Sequence, residues 1–270
     1  ICLKDAVSIV KDQLKHLSMI LRIARYEERA NYQSHYLGLL WQILNPLIQI
    51  GTYYLIFGVG LRGTRTATDG VPFFVWMVVG MTTWMFINQS ITRGSKAIVN
   101  KVNLVSKMKF PLNILPSINI ASGFSVYLVM LVVSLILLAS QGVTPTLMWA
   151  QYIYYFICMI VFLYAVTLFT STLTVLFRDM QFVIQSVMRL LFYVSGTIWN
   201  IAEMPESIRH YFSLNPILYI VEGFRDAFLS RAWFWESPAL TIYFWAFTLF
   251  FLVAGSVLHN KFKESFVDYV

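Results

Sequence analysis

The chain has 270 residues and a formal net charge of +7; 58% of its residues are hydrophobic, 17% are aromatic and only 12% are charged. Soluble domains carry about 25% charged residues and could not hide this much apolar surface, so the composition excludes a cytosolic globular enzyme and a disordered chain. The only cysteines, Cys2 and Cys158, provide no disulfide scaffold.

The first 28 residues have the pattern of an amphipathic helix. Their apolar residues recur at alternating steps of four and three, while three lysines and Arg22 occupy the opposite face. The apolar set is Leu3, Val7, Val10, Leu14, Leu17, Leu21 and Ala24. We therefore predict an interfacial helix over residues 1–30, lying on the inner surface of the membrane. A short coiled coil fits the same spacing and is the alternative interpretation.

Six apolar segments follow, each long enough to cross a bilayer, which takes about 20 helical residues. They are roughly residues 37–60, 73–92, 115–139, 149–176, 181–201 and 239–258. The fold predicted from them is an all-α membrane protein with a single transmembrane domain over residues 1–270. Six transmembrane helices occupy residues 37–258, and a cytoplasmic tail covers residues 259–270.

The distribution of Lys and Arg predicts the orientation of these spans. One side carries six of them within residues 1–36, five within 93–113, one in the 177–180 turn and two in the tail, whereas the other side carries five. This bias predicts a cytoplasmic-membrane protein with both termini in the cytoplasm. It also accounts for the net positive charge without a nucleic-acid partner.

The two connections on the predicted cytoplasmic side differ in character. The first, residues 101–113, is basic but contains several apolar residues that a free loop would expose, so we expect another surface to cover it. The second is the turn Phe177-Arg178-Asp179. Taken alone, its Arg178 and Asp179 could simply be a snorkelling cation and a helix N-cap.

The last outer segment, residues 201–238, contains three prolines and apolar stretches too short to span the membrane. Residues 216–228 have the length of a re-entrant or interfacial helix. Within that stretch Glu222, Arg225 and Asp226 are spaced so that they can pair on one helical face. We predict re-entrant helices at an outer pore mouth; a partly buried extracellular cap is the alternative.

Polar side chains inside the predicted spans are mostly neutral amides, with the single charge of Arg189. Arg189 shares a helical face with Gln185 and Tyr193, so it could line a hydrated passage for an anionic substrate, or instead snorkel to the membrane surface. The residues predicted to line the substrate pathway are Trp84, Asn88, Gln89, Gln185, Arg189 and Tyr193. Most other aromatic residues lie near span ends, as interfacial belts do.

No catalytic motif is found in the sequence. There is no G-x-x-x-x-G-K-[ST], no H-E-x-x-H and no G-x-S-x-G, and the four histidines are scattered. We therefore expect no catalytic residue, metal or cofactor in this chain. A membrane-embedded enzyme acting on lipid-linked sugars would need clustered acids that the sequence lacks, and a passive channel is the third class considered.

Several motifs, in this order, resemble those of ABC-2-type polysaccharide export permeases. They are Tyr36–Trp41 with Asn45-Pro46, Asn103–Pro111 with Leu115-Pro116, Phe177-Arg178-Asp179, and Asn215-Pro216. Within that family, residues 57–62, 70–73 and 86–89 are most similar to the wall teichoic acid export permeases. Export of another lipid-linked glycan, an O-antigen or a capsular polysaccharide, is the alternative.

The resemblance implies a homodimer of six-span subunits that works with two copies of an ATP-binding cassette subunit, which would carry the ATP and Mg. It further implies a substrate built as a polyol-phosphate polymer on undecaprenyl diphosphate, a lipid-linked anionic polymer. The residues that it assigns to ATPase coupling are Lys101, Asn103, Leu104, Lys107, Lys109, Phe110, Arg178 and Asp179.

Overall fold

The computed structural model describes residues 2–33, 36–56, 59, 70–101, 110–263 and 266, and every regular element within them is a helix. Short 3-10 turns join several of the α-helices. The α-helices are α1 (Cys2–Lys15), α2 (Leu17–Gln33), α3 (Trp41–Tyr53), α4 (Phe73–Gly94), α5 (Leu115–Ser122), α6 (Phe124–Ser140), α7 (Gln151–Leu176), α8 (Met180–Val194), α9 (Glu206–Ser213), α10 (Pro216–Leu229) and α11 (Pro238–Phe262).

The N-terminal segment forms two helices, α1 and α2, that meet at His16. One face of this helix pair packs against the rest of the protein, because Ala6, Ile9, Ile20 and Ala24 are buried. Most of the apolar stripe seen in the sequence remains exposed instead: Val7, Val10, Leu14, Leu17 and Leu21 are each at least 40% accessible. The pair therefore has one side for the protein and a separate apolar side that a membrane surface could cover.

Three helical stretches among the described residues are long and apolar enough to cross a membrane. They are Leu112–Ser140, Leu147–Leu176 and Pro238–Phe262, and they match the third, fourth and sixth predicted spans. The helix α4 has 22 residues but carries more polar side chains, while α3 and α8 have 13 and 15 residues. The six-span count therefore stays a prediction, and so do the re-entrant helices.

Two of the predicted spans differ from the helices observed. The third is divided into α5 and α6 at Gly123, where an added Cβ would lie 3.3 Å from Nε2 of Gln89. The fifth ends early, because α8 stops at Val194 and the chain then turns over residues 195–200. Gly196 in that turn has a φ of +65°, a left-handed conformation that favours glycine.

The helices enclose two hydrophobic cores. The larger one joins α4, α7, α8, α10 and α11, with Trp76, Met81, Leu163 and Phe224 among its most buried members. The smaller one, which we call the basal core, packs Ile20 and Ala24 of α2 against Ile98, Ile118 and Val175. The basal core marks the end of the molecule that the sequence analysis places in the cytoplasm, and α10 lies towards the opposite end.

Candidate functional site

The first predicted coupling connector leaves and re-enters the bundle at points held by α1 and α2. Residues 102–109, which include Asn103, Leu104, Lys107 and Lys109, lie outside the described residues. At the entry, Lys101 forms an ion pair with Glu27 of α2. Burial lowers the pKa of the Lys101 ammonium, because desolvation disfavours its charged form.

The exit of the connector is fastened to α1. Phe110 packs against the basal core, and Asn113 is buried. The Asn113 side chain donates to Asp12 Oδ2 at 2.9 Å, and Gln13 Nε2 donates to the Asn113 carbonyl at 3.1 Å. Both ends of the connector are therefore tied to the N-terminal helix pair, so a displacement of the connector would move α1 and α2.

The α2 residue next to Glu27 reaches a different part of the structure. Glu28 accepts a hydrogen bond from Gln42 Nε2 of α3 at 2.9 Å and another from the Ser125 hydroxyl of α6. Two consecutive carboxylates of α2 therefore bond the connector on one side and the helices α3 and α6 on the other. This arrangement provides a short physical connection between the predicted ATPase-binding loop and the space that α3 and α6 border.

That space is a cleft between α3, α4 and α6, which we call the amide cleft, with a volume of about 190 Å³. Asn88 and Gln89, both predicted to line the substrate pathway, border it. Its other polar lining residues are Gln42, Asn45, Gln49, Thr82 and Arg93, and its aromatic ones are Trp41, Phe86 and Tyr127. The sequence analysis missed Gln42, Asn45 and Arg93, although Gln42, Asn45 and Gln49 share one face of α3.

The remaining predicted pathway residues lie elsewhere. Trp84 is only 3% exposed, and its ring lies 5.4 Å from that of Phe192 in the larger core. Arg189 and Tyr193 are exposed on the outer face of α8, where Arg189 bonds the Gln185 carbonyl at 3.4 Å and the Ser186 hydroxyl at 3.3 Å. Arg189 and Tyr193 therefore lie on an exposed face of α8, Gln185 beside them is half-buried, and none of the three borders the amide cleft.

The second predicted coupling element, the turn at Arg178 and Asp179, begins α8. Both residues are exposed, and Asp179 occupies the N-cap position, where its carbonyl accepts from the Phe182 amide at 3.0 Å. No capping bond from its side chain to the backbone of α8 is observed in the described structure. The turn is accessible to a partner, and its predicted role in coupling stays a prediction.

At the opposite end of the molecule, Arg225 of α10 is completely buried. Its guanidinium lies 3.4 Å over the Trp76 ring, and its Nη1 donates to Glu222 Oε1 at 2.6 Å and to the Gly196 carbonyl at 2.7 Å. Its Nη2 donates to the Thr197 carbonyl at 3.0 Å. This one side chain therefore ties α10 to α4 and to the turn in which α8 ends.

Glu222 is shared between two arginines. Its Oε2 lies 2.5 Å from Arg231 Nη2, and Arg231 also contacts Asp226 Oδ1 at 2.7 Å. Burial alone would raise the pKa of Glu222, but the guanidiniums of Arg225 and Arg231 lower it below its ordinary value. The spacing in the sequence allowed the Glu222–Arg225 pair. Asp226 pairs instead with Arg231, which lies beyond the C-terminal end of α10. Their role at an outer mouth stays a prediction.

In the part of the chain that the structure describes, no three His, Cys, Asp or Glu side chains gather in a way that could hold a metal ion. The polar groups that line the amide cleft are neutral amides, the Thr82 hydroxyl and the guanidinium of Arg93.

Comparison with known proteins covers nearly the whole chain. A permease described as O-antigen export system permease protein RfbA from Myxococcus xanthus is 24% identical over 266 residues, or 97% of this chain and 99% of that protein. A protein of the same description from Klebsiella pneumoniae is 25% identical over 252 residues, or 93% of this chain and 94% of that protein. The family model described as ABC-2 type transporter matches residues 20–229. The chain therefore belongs to the ABC-2 type transporter family.

Proposed function

We propose that this chain is the permease subunit of an exporter that moves a lipid-linked polysaccharide of the O-antigen type across the cytoplasmic membrane. The observation that carries the proposal is the extent of the similarity to O-antigen export permeases, which reaches 97% of this chain and 99% of the relative. It therefore includes the connectors and the outer segment as well as the apolar helices. Membership of the ABC-2 family implies an ATP-binding partner and a membrane location.

The proposed substrate differs from the one that the motifs favoured. The similarity of residues 57–62, 70–73 and 86–89 to wall teichoic acid permeases predicted a polyol-phosphate polymer. The relatives found by comparison are described as O-antigen export permeases, so they favour the alternative and give the teichoic acid prediction no support. A lining of neutral amides also suits sugar hydroxyls, because amides and hydroxyls can each donate and accept.

A homodimer is part of the proposal, and the outer face of α8 supports it. Phe182, Leu190 and Tyr193 are each more than half exposed on that face, and Arg189 lies among them. A cation at membrane depth is costly when it faces lipid. A second copy, facing the first across a hydrated passage, would give Arg189 polar surroundings and cover the apolar residues beside it.

The energy source in this proposal is ATP hydrolysis on the partner, with two copies bound at the cytoplasmic side. The connector from Lys101 to Phe110 and the Arg178-Asp179 turn would meet these subunits. Nucleotide-driven approach of the partners would displace the connector, and the Glu27 and Glu28 contacts would pass that displacement to α3 and α6.

Reconstitution tests the proposal directly. The chain would be purified with its ATPase, and ATP-dependent movement of a lipid-linked O-antigen-type glycan and of a lipid-linked teichoic acid would be measured in proteoliposomes. We expect transport of the glycan only with hydrolysable ATP, and a complex whose mass contains two permease copies. Transport of the teichoic acid alone would restore the earlier prediction, and ATP-independent leakage of both would indicate a passive channel.

A charge exchange tests the connection between the connector and α2. Lys101→Glu places two carboxylates against each other, so we expect transport and substrate-stimulated ATPase activity to fall several-fold. Exchanging both charges, in the double variant Glu27→Lys and Lys101→Glu, restores an attractive pair and should recover most of both activities. A double variant as defective as the single one would contradict a coupling role for this pair.

A further inference from the structure

The amide cleft contains polar groups that the fold does not use. Among the described residues, the side chains of Asn45, Gln89 and Arg93 make no hydrogen bond or ion pair, although all three border the cleft. Pro46, also on its wall, has no N–H with which to bond the carbonyl of Gln42 one turn earlier. Asn45 and Arg93 are exposed and Gln89 is half-buried, so all three side chains are available to bond a polar molecule that enters the cleft.

The lining resembles neither a cation site nor an apolar ligand pocket. Amide side chains donate through NH₂ and accept through C=O, which matches hydroxyl groups that do both. Trp41, Phe86 and Tyr127 add aromatic surface, against which the C–H faces of a sugar ring can pack. The guanidinium of Arg93 adds a planar group of the kind that binds phosphate oxygens in pairs. Together they fit a sugar with an adjoining phosphate.

The size and position of the cleft limit what can enter it. Its volume of about 190 Å³ is below the roughly 300–1,000 Å³ of pockets that hold drug-sized ligands, so it suits one sugar ring. Beside it, the exposed edge of α3 is apolar through Ile43, Leu44 and Leu47. A hydrocarbon chain could therefore remain in lipid along α3 while its polar head enters from the side.

We infer that the amide cleft binds a single glycosyl unit next to the lipid diphosphate of the exported chain, with Asn45 and Gln89 bonding the sugar hydroxyls and Arg93 contacting the phosphate. The inference rests on the proposed function and adds a binding site to it. Glu28, bonded to Gln42 and Ser125, lies where a shift of α2 would alter the cleft.

Binding measurements on the purified permease–ATPase complex in nanodiscs test this site. The probes are a radiolabelled polyisoprenyl diphosphate bearing a short oligosaccharide, the same lipid diphosphate without sugar, and the free oligosaccharide. The variants are Asn45→Leu with Gln89→Met, which conserve side-chain volume while removing the amides, and Arg93→Gln. The matched control is Gln141→Met, which removes an exposed amide at the far end of α6. Size-exclusion profiles and thermal unfolding confirm that each variant is folded.

We expect the amide double variant to bind the sugar-bearing lipid at least tenfold more weakly and to bind the sugar-free lipid like the unaltered protein. Arg93→Gln should weaken both lipids, and the free oligosaccharide should bind far more weakly than the lipid-linked one. Unchanged affinity of the double variant would overturn the inference and indicate a cleft filled by water only. The proposed function would survive that result, because it fails only if the unaltered complex does not export lipid-linked glycan.

Discussion

Replacement of Arg225 by methionine is expected to destabilise the protein by about 3–5 kcal/mol, the range for breaking a buried ion pair from one side. The guanidinium is fully buried, and its loss would leave the carbonyls of Gly196 and Thr197 without their donor. The Trp76 ring would also lose its cation. Thermal unfolding of the purified protein measures the effect, and we expect much less folded protein in the membrane.

One further variant at this position separates charge from geometry, and a variant at Arg209 serves as the control. Arg225→Lys keeps the cation but loses the planar fork that donates to Glu222 and to the carbonyls of Trp76, Gly196 and Thr197. Its stability should therefore fall between that of the unaltered protein and that of Arg225→Met. Arg209→Met removes an arginine that is exposed on α9 and should have little effect. If Arg225→Met unfolded at the same temperature as Arg209→Met, the network would not hold α10 in place.

The alanine variant of Gly223 is expected to force α10 away from α7. A Cβ at this position would lie 2.1 Å from Cε1 of Tyr155, closer than non-bonded atoms can approach. The Tyr155 ring is 3% exposed and packs against the rings of Tyr154, Tyr219 and Phe224, so it has no space to retreat. Overpacking of this kind costs about 1–3 kcal/mol, occasionally more. Thermal unfolding and transport should both be impaired.

A matched control exists in α3. Gly51 has no atom within 4 Å of the Cβ position, so Gly51→Ala should leave stability unchanged or raise it by up to about 1 kcal/mol, because alanine favours helices.

Removing the Tyr155 ring should relieve the clash with the new Cβ at position 223. The double variant Gly223→Ala with Tyr155→Ala should therefore be less destabilised than the sum of the two single changes. Strict additivity would show that the close approach of α10 and α7 is not the cause.

The sequence predicted where the long helices begin and end more accurately than it predicted which side chains pack against them. The boundaries of α4, α7 and α11 match the second, fourth and sixth predicted spans within a few residues, because long apolar runs have only one stable backbone arrangement in lipid. The division at Gly123 and the early end of α8 were not predicted, since both depend on neighbouring side chains. Gly123, for example, leaves room for the Gln89 amide.

The residues predicted to line the substrate pathway show the same contrast between local pattern and tertiary contact. These six residues were grouped by polarity and helical spacing, and these criteria place a residue on a face without indicating what that face meets. The structure places Asn88 and Gln89 in the amide cleft, Trp84 in the core and Arg189 on the outside of α8. Helical spacing in α3 could have found Gln42 and Asn45, but nothing in the sequence links Glu28 to Gln42, which lies 14 residues further along the chain.

By itself, the sequence determined that this protein is helical and that it is embedded in a membrane, because hydropathy acts locally along the chain; the placing of its basic segments on one side stays a prediction. Only the tertiary structure decided that consecutive glutamates join the connector to the cleft and that a buried arginine anchors α10. Those contacts join residues up to about 150 positions apart, and they depend on helix packing that one-dimensional patterns do not record.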